Sequence, residues 1–574
     1  MATVNVVNMI PRSLSGEHTQ DSEPNIAVNP ENTSEIVGTA FTPSPTGGAF
    51  APIFVSTDGG MAWSLRNVVP GNGTFGTGDI TVGFSTTGGV LYAGTLNGST
   101  GNLNILRTSS FTSTTPMTLL VDRGNEDQPW VVAGTVVVSG TTRDRVYVGN
   151  NNFGQPAGQT ATVDVSQSAR TAVAPAGFVA RRIERRVTSG QDGPPIRLAL
   201  HTDGTVYAAY HRWVTRSGND VTVDIVMTRD DAWGAGATPF SALVDGGDAL
   251  IGQRVATGRF VRWNANMGQE RLGGDLCVAV DPGNSANVWV AWCDRVGGAA
   301  GTDWTIHVRR STDRGQTWSA DVRTVTNAKN PSLAVNAAGV LAFLFQQFTG
   351  TRWVTQLETT ANAFATAAAV MVLHTAPSTT PARQFFPYLG DYVRVVAVAR
   401  DFYGVFSGNN TPDAANFPSS VVYQRNADWV TRTLLDVDNT TVVDPSIDPF
   451  FFHWTDDPIL IGPISRIPIG RTPVVGRTPV IGRTPINRTP IISPEPIVRT
   501  PIISPEPIVR TPIISPEPIV PPISREPIVG PGPAVVPRAP RGGRAGRALS
   551  ATEIDRVAKQ AVKKGRNRGT NLDL

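Results

Sequence analysis

One phrase recurs seven times in this chain of 574 residues, and its recurrence limits the possible folds more than any other feature. Each copy is an apolar strand, a short polar turn and a second strand that ends in small or aromatic residues. The copies start about 50 to 80 residues apart, a spacing typical of four-stranded propeller blades with loops of variable length. They begin at Glu23, Gly78, Asp127, Pro195, Gly274, Asn330 and Asp391.

Two further apolar runs follow each phrase, so each repeat is predicted to hold four strands. The first strand of each repeat is almost entirely apolar, as expected for an innermost strand that neighbouring blades cover on both faces. With 57 glycines and only 17% charged residues, the composition also suits a turn-rich β protein. We therefore predict an all-β chain: residues 1–21 lead into a seven-bladed β-propeller of four-stranded antiparallel blades at 22–448, with six blades as the alternative count.

Two predicted turns between third and fourth strands share the pattern SxDxGxxW. This pattern resembles the Asp box of the bacterial neuraminidase repeat, and the chain resembles the Asp-box propellers of the sialidase superfamily. The resemblance implies structural roles: Asp accepts turn N–H groups, Gly supplies a positive φ, Ser caps locally and Trp packs between blades. Degenerate copies are predicted at Thr228 and Gln424. The eight pattern residues are Ser56, Asp58, Gly60, Trp63, Ser311, Asp313, Gly315 and Trp318.

The same resemblance places a ligand at the opposite end of the propeller, where first strands begin and second strands end. Acidic and amide side chains recur at these positions, which predicts a ring of carboxylates and amides around the axis. For each of them, capping of a strand or solvation of a loop is the alternative role. The ligand-face candidates are Asp127 and Asp275 at first-strand entrances, and His211, Arg212, Asp294 and Arg295 at second-strand exits.

Sialidases that resemble this scaffold hold a substrate carboxylate with three arginines and use a Tyr–Glu pair and an Asp for catalysis. No FRIP-type motif, which carries one of those arginines, precedes the first Asp box; the similar string SRIP at Ser465 follows the propeller. Arg212 and Arg295 supply at most part of such a clamp. Catalytic residues are therefore left unassigned, and little or no sialidase turnover is expected.

Neither a metal nor a cofactor is predicted. Cys277 and Cys293 lie in neighbouring predicted strands, which favours two buried thiols over a cross-strand disulfide. The remaining histidines lack the spacing of metal ligands; they are His18, His201, His307, His374 and His453.

Beyond the predicted propeller, residues 449–548 are rich in proline and contain GRTPVV and RTPIISPEPIV repeats. Such a segment is expected to be extended, either as a spacer or as a surface for a partner. Residues 549–574 predict a short amphipathic helix with flanking Arg and Lys, suited to an acidic protein, a polyanion or an assembly partner. No membrane span or Sec signal is visible, which leaves a cytoplasmic location or export by another route.

Three functions remain open at this point. The first is a non-catalytic module that recognises a glycan or a protein and is tethered by the basic tail. The second is a glycoside hydrolase of exo-sialidase type. The third is a structural component of a secreted or phage-like particle.

Overall fold

The computed structural model describes residues 2–456 apart from the segments 72–75, 88, 173–176, 191–195, 219, 263–274, 299–303 and 382–388. The Pro-rich repeats and the basic helix predicted after residue 456 lie outside the described residues. Apart from strands, the described part contains short 3₁₀ turns, and none of its helices has the length or hydropathy to cross a membrane. These turns are at Arg12–Leu14, Pro156–Gly158, Ala169–Thr171 and Ala414–Asn416.

Strand β1 (Thr3–Asn8) opens the chain, and the first three blades follow as consecutive four-stranded antiparallel sheets. Blade 1 comprises β2 (Asn25–Val28), β3 (Ile36–Thr39), β4 (Phe50–Ser56) and β5 (Ser64–Pro70). Blade 2 comprises β6 (Ile80–Phe84), β7 (Leu91–Leu96), β8 (Leu103–Thr108) and β9 (Thr118–Arg123). Blade 3 comprises β10 (Glu126–Val138), β11 (Thr141–Asn152), β12 (Ala161–Ser166) and β13 (Phe178–Arg182).

The next three blades have the same order. Blade 4 comprises β14 (Arg197–Leu200), β15 (Val206–Ser217), β16 (Asp220–Asp230) and β17 (Gln253–Arg262). Blade 5 comprises β18 (Leu276–Asp281), β19 (Asn284–Arg295), β20 (Trp304–Ser311) and β21 (Arg323–Thr326). Blade 6 comprises β22 (Ala328–Val335), β23 (Leu341–Phe348), β24 (Arg352–Thr360) and β25 (Ala369–Pro377).

Blade 7 is assembled from both ends of the described chain. Its two inner strands are β26 (Arg394–Val398) and β27 (Asp401–Asn409). Between β27 and the third strand the chain forms a small separate sheet of β28 (Asn426–Asp428), β29 (Thr433–Leu435) and β30 (Val442–Val443). The third strand is β31 (Ile447–Thr455), and β1 pairs with it as the outermost strand.

The innermost strands establish the closed ring. Each first strand packs against the first strand of the next blade, and β26 of blade 7 packs against β2 of blade 1. Seven four-stranded sheets within the described residues therefore surround one axis, which confirms the prediction of an all-β propeller. Buried apolar side chains fill the spaces between adjacent blades, and Trp213, Trp292 and Trp304 are among the largest that are fully enclosed.

The predicted bounds of the propeller, 22 and 448, leave out β1 and all but the first two residues of β31, and both strands belong to blade 7. In the β1–β31 pair Thr3 is opposite Thr455, and Val7 is opposite Phe451. Val7 and Phe451 are both fully buried. The two outer strands of the blade are far apart in the sequence, so their pairing leaves no local signal.

The SxDxGxxW turns close the third-to-fourth strand connections of blades 1 and 5. Ser56 Oγ donates to Asp58 Oδ1 (2.9 Å) and accepts from Gly60 N (2.9 Å). Asp58 Oδ1 also accepts from two turn N–H groups, and Gly60 has a φ of 90°, which favours glycine. Trp63 is buried between blades 1 and 7, with its ring centroid 5.4 Å from that of Phe451.

The turn of blade 5 has the same hydrogen bonds. Ser311 Oγ donates to Asp313 Oδ1 (2.7 Å) and accepts from Gly315 N (2.8 Å), and Gly315 has a φ of 80°. Trp318 is only half-buried, so it contributes less to packing than Trp63 does.

Of the two predicted degenerate copies, one lies at the predicted position and one does not. The run from Thr228 lies between the third and fourth strands of blade 4, where Asp230 Oδ1 accepts from Gly234 N (2.6 Å). The run from Gln424 contains β28 and lies ahead of the third strand of blade 7, so that prediction was wrong. An equivalent turn in blade 6 was not predicted; there Thr360 Oγ1 donates to Asn362 Oδ1 (3.0 Å).

Candidate functional site

The ligand face is defined here as the end at which the seven innermost strands begin, and the box face as the end that carries the SxDxGxxW turns. At three of the seven entrances a non-glycine residue with positive φ precedes a proline. These residues are Glu23 (φ 55°), Gln128 (φ 54°) and Asn330 (φ 54°). Because such backbone strain clusters at functional sites, the entrances are where a site is expected.

Four side chains meet at the axis just inside these entrances, and we call them the axial lock: Trp130, Arg197, Tyr392 and Arg394. The guanidinium carbons of Arg197 and Arg394 lie 3.7 Å and 4.6 Å from the centroid of the Trp130 ring. The rings of Trp130 and Tyr392 meet edge to face at 5.9 Å. Cation–π and aromatic contacts thus join blades 3, 4 and 7 across the axis.

Asp275, a predicted ligand-face residue, lies beside this lock. Its Oδ1 accepts from Arg197 Nη2 at 2.6 Å, and both side chains are almost completely buried. Burial raises the pKa of Asp275 to about 6; the attraction of Arg197 opposes this rise and the charge of Asp391 adds to it. The carboxyl therefore anchors the lock rather than facing a ligand.

A group of partly exposed carboxylates surrounds the lock on the ligand face, and we call Asp79, Asp127 and Asp391 the rim carboxylates. Burial raises the pKa of Tyr392 well above its usual range, and the charges of Asp79, Glu23 and Asp391 raise it further. Asp391 N also donates to Glu23 Oε1 at 3.2 Å. Glu23, Asp79 and Asp391 therefore lie near Tyr392. Asp127 lies at the entrance of blade 3, three residues before Trp130.

His211 and Arg212, the predicted ligand-face residues on blade 4, do not belong to this group of carboxylates. His211 is not at a strand exit, because β15 continues to Ser217, and the side chain is buried. Burial lowers the pKa of His211 to about 3, so its imidazole is neutral near pH 7. Arg212 donates to Asp224 Oδ2 (2.8 Å) and to the carbonyl of Val187, which makes it a structural cation on the periphery.

Asp294 and Arg295 do end a second strand, but both are buried. Asp294 accepts from Arg259 Nε at 2.5 Å and lies 3.2 Å from His307 Nε2. Burial pushes the pKa of Asp294 upward, yet the hydrogen bonds from His307 and Arg259 hold it below its usual range. His307 Nδ1 lies 2.8 Å from Asp321 Oδ2, so this network fastens blade 4 to blade 5 and is not a ligand site.

Within the described residues, two arginines lie at the axis, one fewer than a three-arginine clamp has. Among the described residues the arginines of the axial lock are Arg197 and Arg394, and neither was predicted. Tyr210 and Glu184 do form a buried Tyr–Glu pair. Burial raises the pKa of Tyr210 well above its usual range, and the charge of Glu184 raises it further. Both side chains are fully enclosed between blades 3 and 4, so a ligand does not reach them.

Two further features of the ligand face bear on chemistry. Glu126 is buried at the entrance of β10, where burial raises its pKa to about 7 against the opposing hydrogen bond from Arg123. Arg123 Nη2 also donates to Asp164 Oδ2 at 2.6 Å. In the described part of the chain, no group of three His, Cys, Asp or Glu side chains is arranged to hold a metal ion. Cys277 and Cys293 are buried thiols on adjacent strands.

A local signal for the axial lock was present in the sequence. Arg197 interrupts the apolar run IRLAL, Arg394 interrupts VRVVAV, and Trp130 follows the proline of DQPW. A charged residue inside an otherwise apolar strand of a repeat is costly unless it has a partner or a function. The predicted ligand-face residues lie before first strands or at the ends of second strands, whereas Arg197 and Arg394 lie within innermost strands.

No protein-family model matches the sequence, and no curated protein matches it. Solved structures with a similar fold include the Penicillium chrysogenum alpha-L-arabinanase complexed with arabinobiose, at 10% identity and a TM-score of 0.36 over 78% of this chain and 98% of that one. They include the GH93 alpha-L-arabinofuranosidase of Fusarium graminearum, at 11% identity and a TM-score of 0.35 over 71% and 92% of the two chains. A Trypanosoma rangeli sialidase is also similar, at 13% identity and a TM-score of 0.31 over 79% and 59%. The assignment of a propeller rests on the closed ring of seven four-stranded sheets within the described residues.

Proposed function

We propose that the ligand face binds a neutral carbohydrate. The observation that carries this proposal is the group of rim carboxylates, Asp79, Asp127 and Asp391, around a centre closed by Trp130 and Tyr392. Ionised carboxylates only accept hydrogen bonds, and sugar hydroxyls donate them. Acidic sugars are disfavoured because the same carboxylates repel them.

The positions of the protonated carboxyl groups favour recognition without turnover over hydrolysis. A general acid must hold a proton near neutral pH and reach the ligand. Asp275 and Glu126 have raised pKa values, but both are buried and each is bound by an arginine. The partly exposed carboxylates are a separate set of residues.

Isothermal titration against a panel of neutral and acidic oligosaccharides tests this proposal. We expect a neutral member to bind, and Asp79→Asn and Asp391→Asn each to weaken its binding about tenfold, as loss of a charge-assisted hydrogen bond does. Asp281→Asn is the matched control, because Asp281 ends an innermost strand at the box face. Binding that prefers acidic sugars, or that ignores the rim substitutions, would refute the proposal.

Glycoside hydrolysis is the second candidate, and the specific observation in its favour is the coupling of Asp275 to Asp391. A pair of carboxyl groups is the arrangement that glycoside hydrolysis uses, and burial raises the pKa of Asp275 to about 6. Incubation of each bound oligosaccharide with the protein, followed by chromatography of the products, separates the two functions. Turnover that Asp391→Asn abolishes while binding persists would establish hydrolysis.

A further inference from the structure

A cavity of about 290 Å³ lies along the axis behind the lock, within the ring of innermost strands. Strands β14, β18, β22 and β26 form its wall, and the cavity follows them from the lock towards the box face. Trp130, Arg197 and Arg394 form the end next to the ligand face. Because one water needs only about 10–15 Å³ of such space, the cavity has room for an organic molecule.

The side chains along most of this cavity are apolar, although its accessible lining as a whole is about half polar and half apolar. The cavity is lined by alanine, valine and leucine residues from four blades, among them Leu200, Val280, Leu333, Val335 and Ala397. Ser332 is a polar exception: its Oγ accepts from Val395 N (3.0 Å), so its own hydrogen is available to an acceptor. An occupant would therefore have one polar end and an apolar body.

Arg394 has no carboxylate partner in the part of the chain that the structure describes. Its Nη1 donates to the neutral amide oxygen of Asn25 (3.1 Å), and its guanidinium stacks on Trp130. Burial lowers the pKa of Arg394 to about 9, and repulsion from Arg197 lowers it further. Arg394 is only partly buried, yet a partly desolvated cation without a counter-ion is still costly, and an anion in the cavity would offset that cost.

Arg197 supplies a second unused donor. Its Nε and Nη2 are bound to the Leu276 carbonyl and to Asp275, whereas its buried Nη1 has no hydrogen-bond partner among the described residues. Since Asp275 neutralises Arg197, the two guanidiniums leave about one uncompensated positive charge. A monoanion matches that balance, and a phosphate dianion does not.

We propose that the axial cavity binds a small monocarboxylic acid, with its carboxylate on Arg394 and Arg197 and its hydrocarbon part along the apolar wall. This site lies on the cavity side of the axial lock, whereas the rim carboxylates lie on the ligand face. The occupant is thus an anion, whereas the ligand proposed above is neutral, and either site can fail without the other. Planar guanidinium groups suit a carboxylate because they donate in pairs.

Isothermal titration with sodium hexanoate tests this site, with 1-hexanol and inorganic phosphate as comparison ligands. We expect hexanoate to bind below about 10 mM and Arg394→Gln to weaken it at least about tenfold. Arg400→Gln is the control, because Arg400 is exposed in the turn after β26 and should leave the affinity unchanged. Thermal unfolding of each variant shows whether the fold has been kept.

A second variant keeps both arginines and narrows the cavity: Ala397→Leu should abolish hexanoate binding and leave carbohydrate binding intact. If Arg394→Gln fails to fold, this variant decides the matter alone. Absence of hexanoate binding to the wild type would overturn the proposal, as would equal binding of hexanol or phosphate. Unchanged affinity in the folded Arg394→Gln protein, or in Ala397→Leu, would overturn it as well.

Discussion

Removal of residues 1–10 is expected to open the propeller. Strand β1 is the outermost strand of blade 7, and the segment buries Val6, Val7, Met9 and Ile10, each no more than 1% exposed. Full burial of such side chains contributes about 1.5–3 kcal/mol each, so the four together contribute about 6–12 kcal/mol. Since a native domain is stable by only about 5–15 kcal/mol, the truncated protein should lose its cooperative unfolding transition.

Point variants give the same test on a smaller scale. Val7→Ala removes two buried carbon atoms opposite Phe451, which should lower the free energy of unfolding by about 2 kcal/mol. The control is Val137→Ala, the same change at a side chain that is 70% exposed, where the effect should stay within about 0.5 kcal/mol. Urea unfolding followed by tryptophan fluorescence measures both. A truncated protein with an unchanged urea midpoint would show that β1 does not close the ring.

Three further outcomes are expected. The pKa of Asp275 rises from an ordinary 3.8 to about 6, so its protonated form is favoured in the fold, and this stabilisation is lost as pH rises through 6. The wild type should therefore lose about 3 kcal/mol of unfolding free energy relative to Asp275→Asn between pH 3.5 and pH 7. A difference between the two proteins that does not change with pH would contradict the burial argument. Asp313→Ala should cost about 1 kcal/mol by chemical denaturation without changing carbohydrate affinity, since it caps a box-face turn. Trp63→Ala should cost about 3–5 kcal/mol by the same measurement, and a value below 1 would argue against its role between blades 1 and 7.

The repeating part of the fold could be predicted because the physics of a blade is local. An innermost strand must be apolar on both faces and its turns need particular residues, and both requirements appear as short sequence patterns. The closure of blade 7 could not be predicted in this way. Asn8 donates to Asp448 across 440 residues, and no periodicity connects two segments that occur once each.

The candidate site was predictable only at its strand entrances. Asp127 and Asp275 were found because each repeat marks its own strand entrance. The axial lock was not predicted because its residues stabilise one another across different blades. Arg197 is tolerated in β14 only because Trp130 and Asp275, from two other blades, contact it. His211 was misplaced for a simpler reason, since β15 extends beyond the predicted exit to Ser217.

The stability of the propeller ring does not require the axial lock. Blades 3 and 7 are not neighbours, so the contact of Trp130 with Tyr392 and Arg394 crosses the axis and adds nothing to the packing of adjacent sheets. Desolvation of guanidinium groups is costly, and well-packed apolar side chains in place of a buried ionic group often stabilise a protein. A chain under selection for the ring alone would therefore place apolar side chains at the axis, as it does along the rest of the cavity wall. Stability of the ring alone thus does not account for Arg197 and Arg394, which are the groups that the proposed carboxylate would contact.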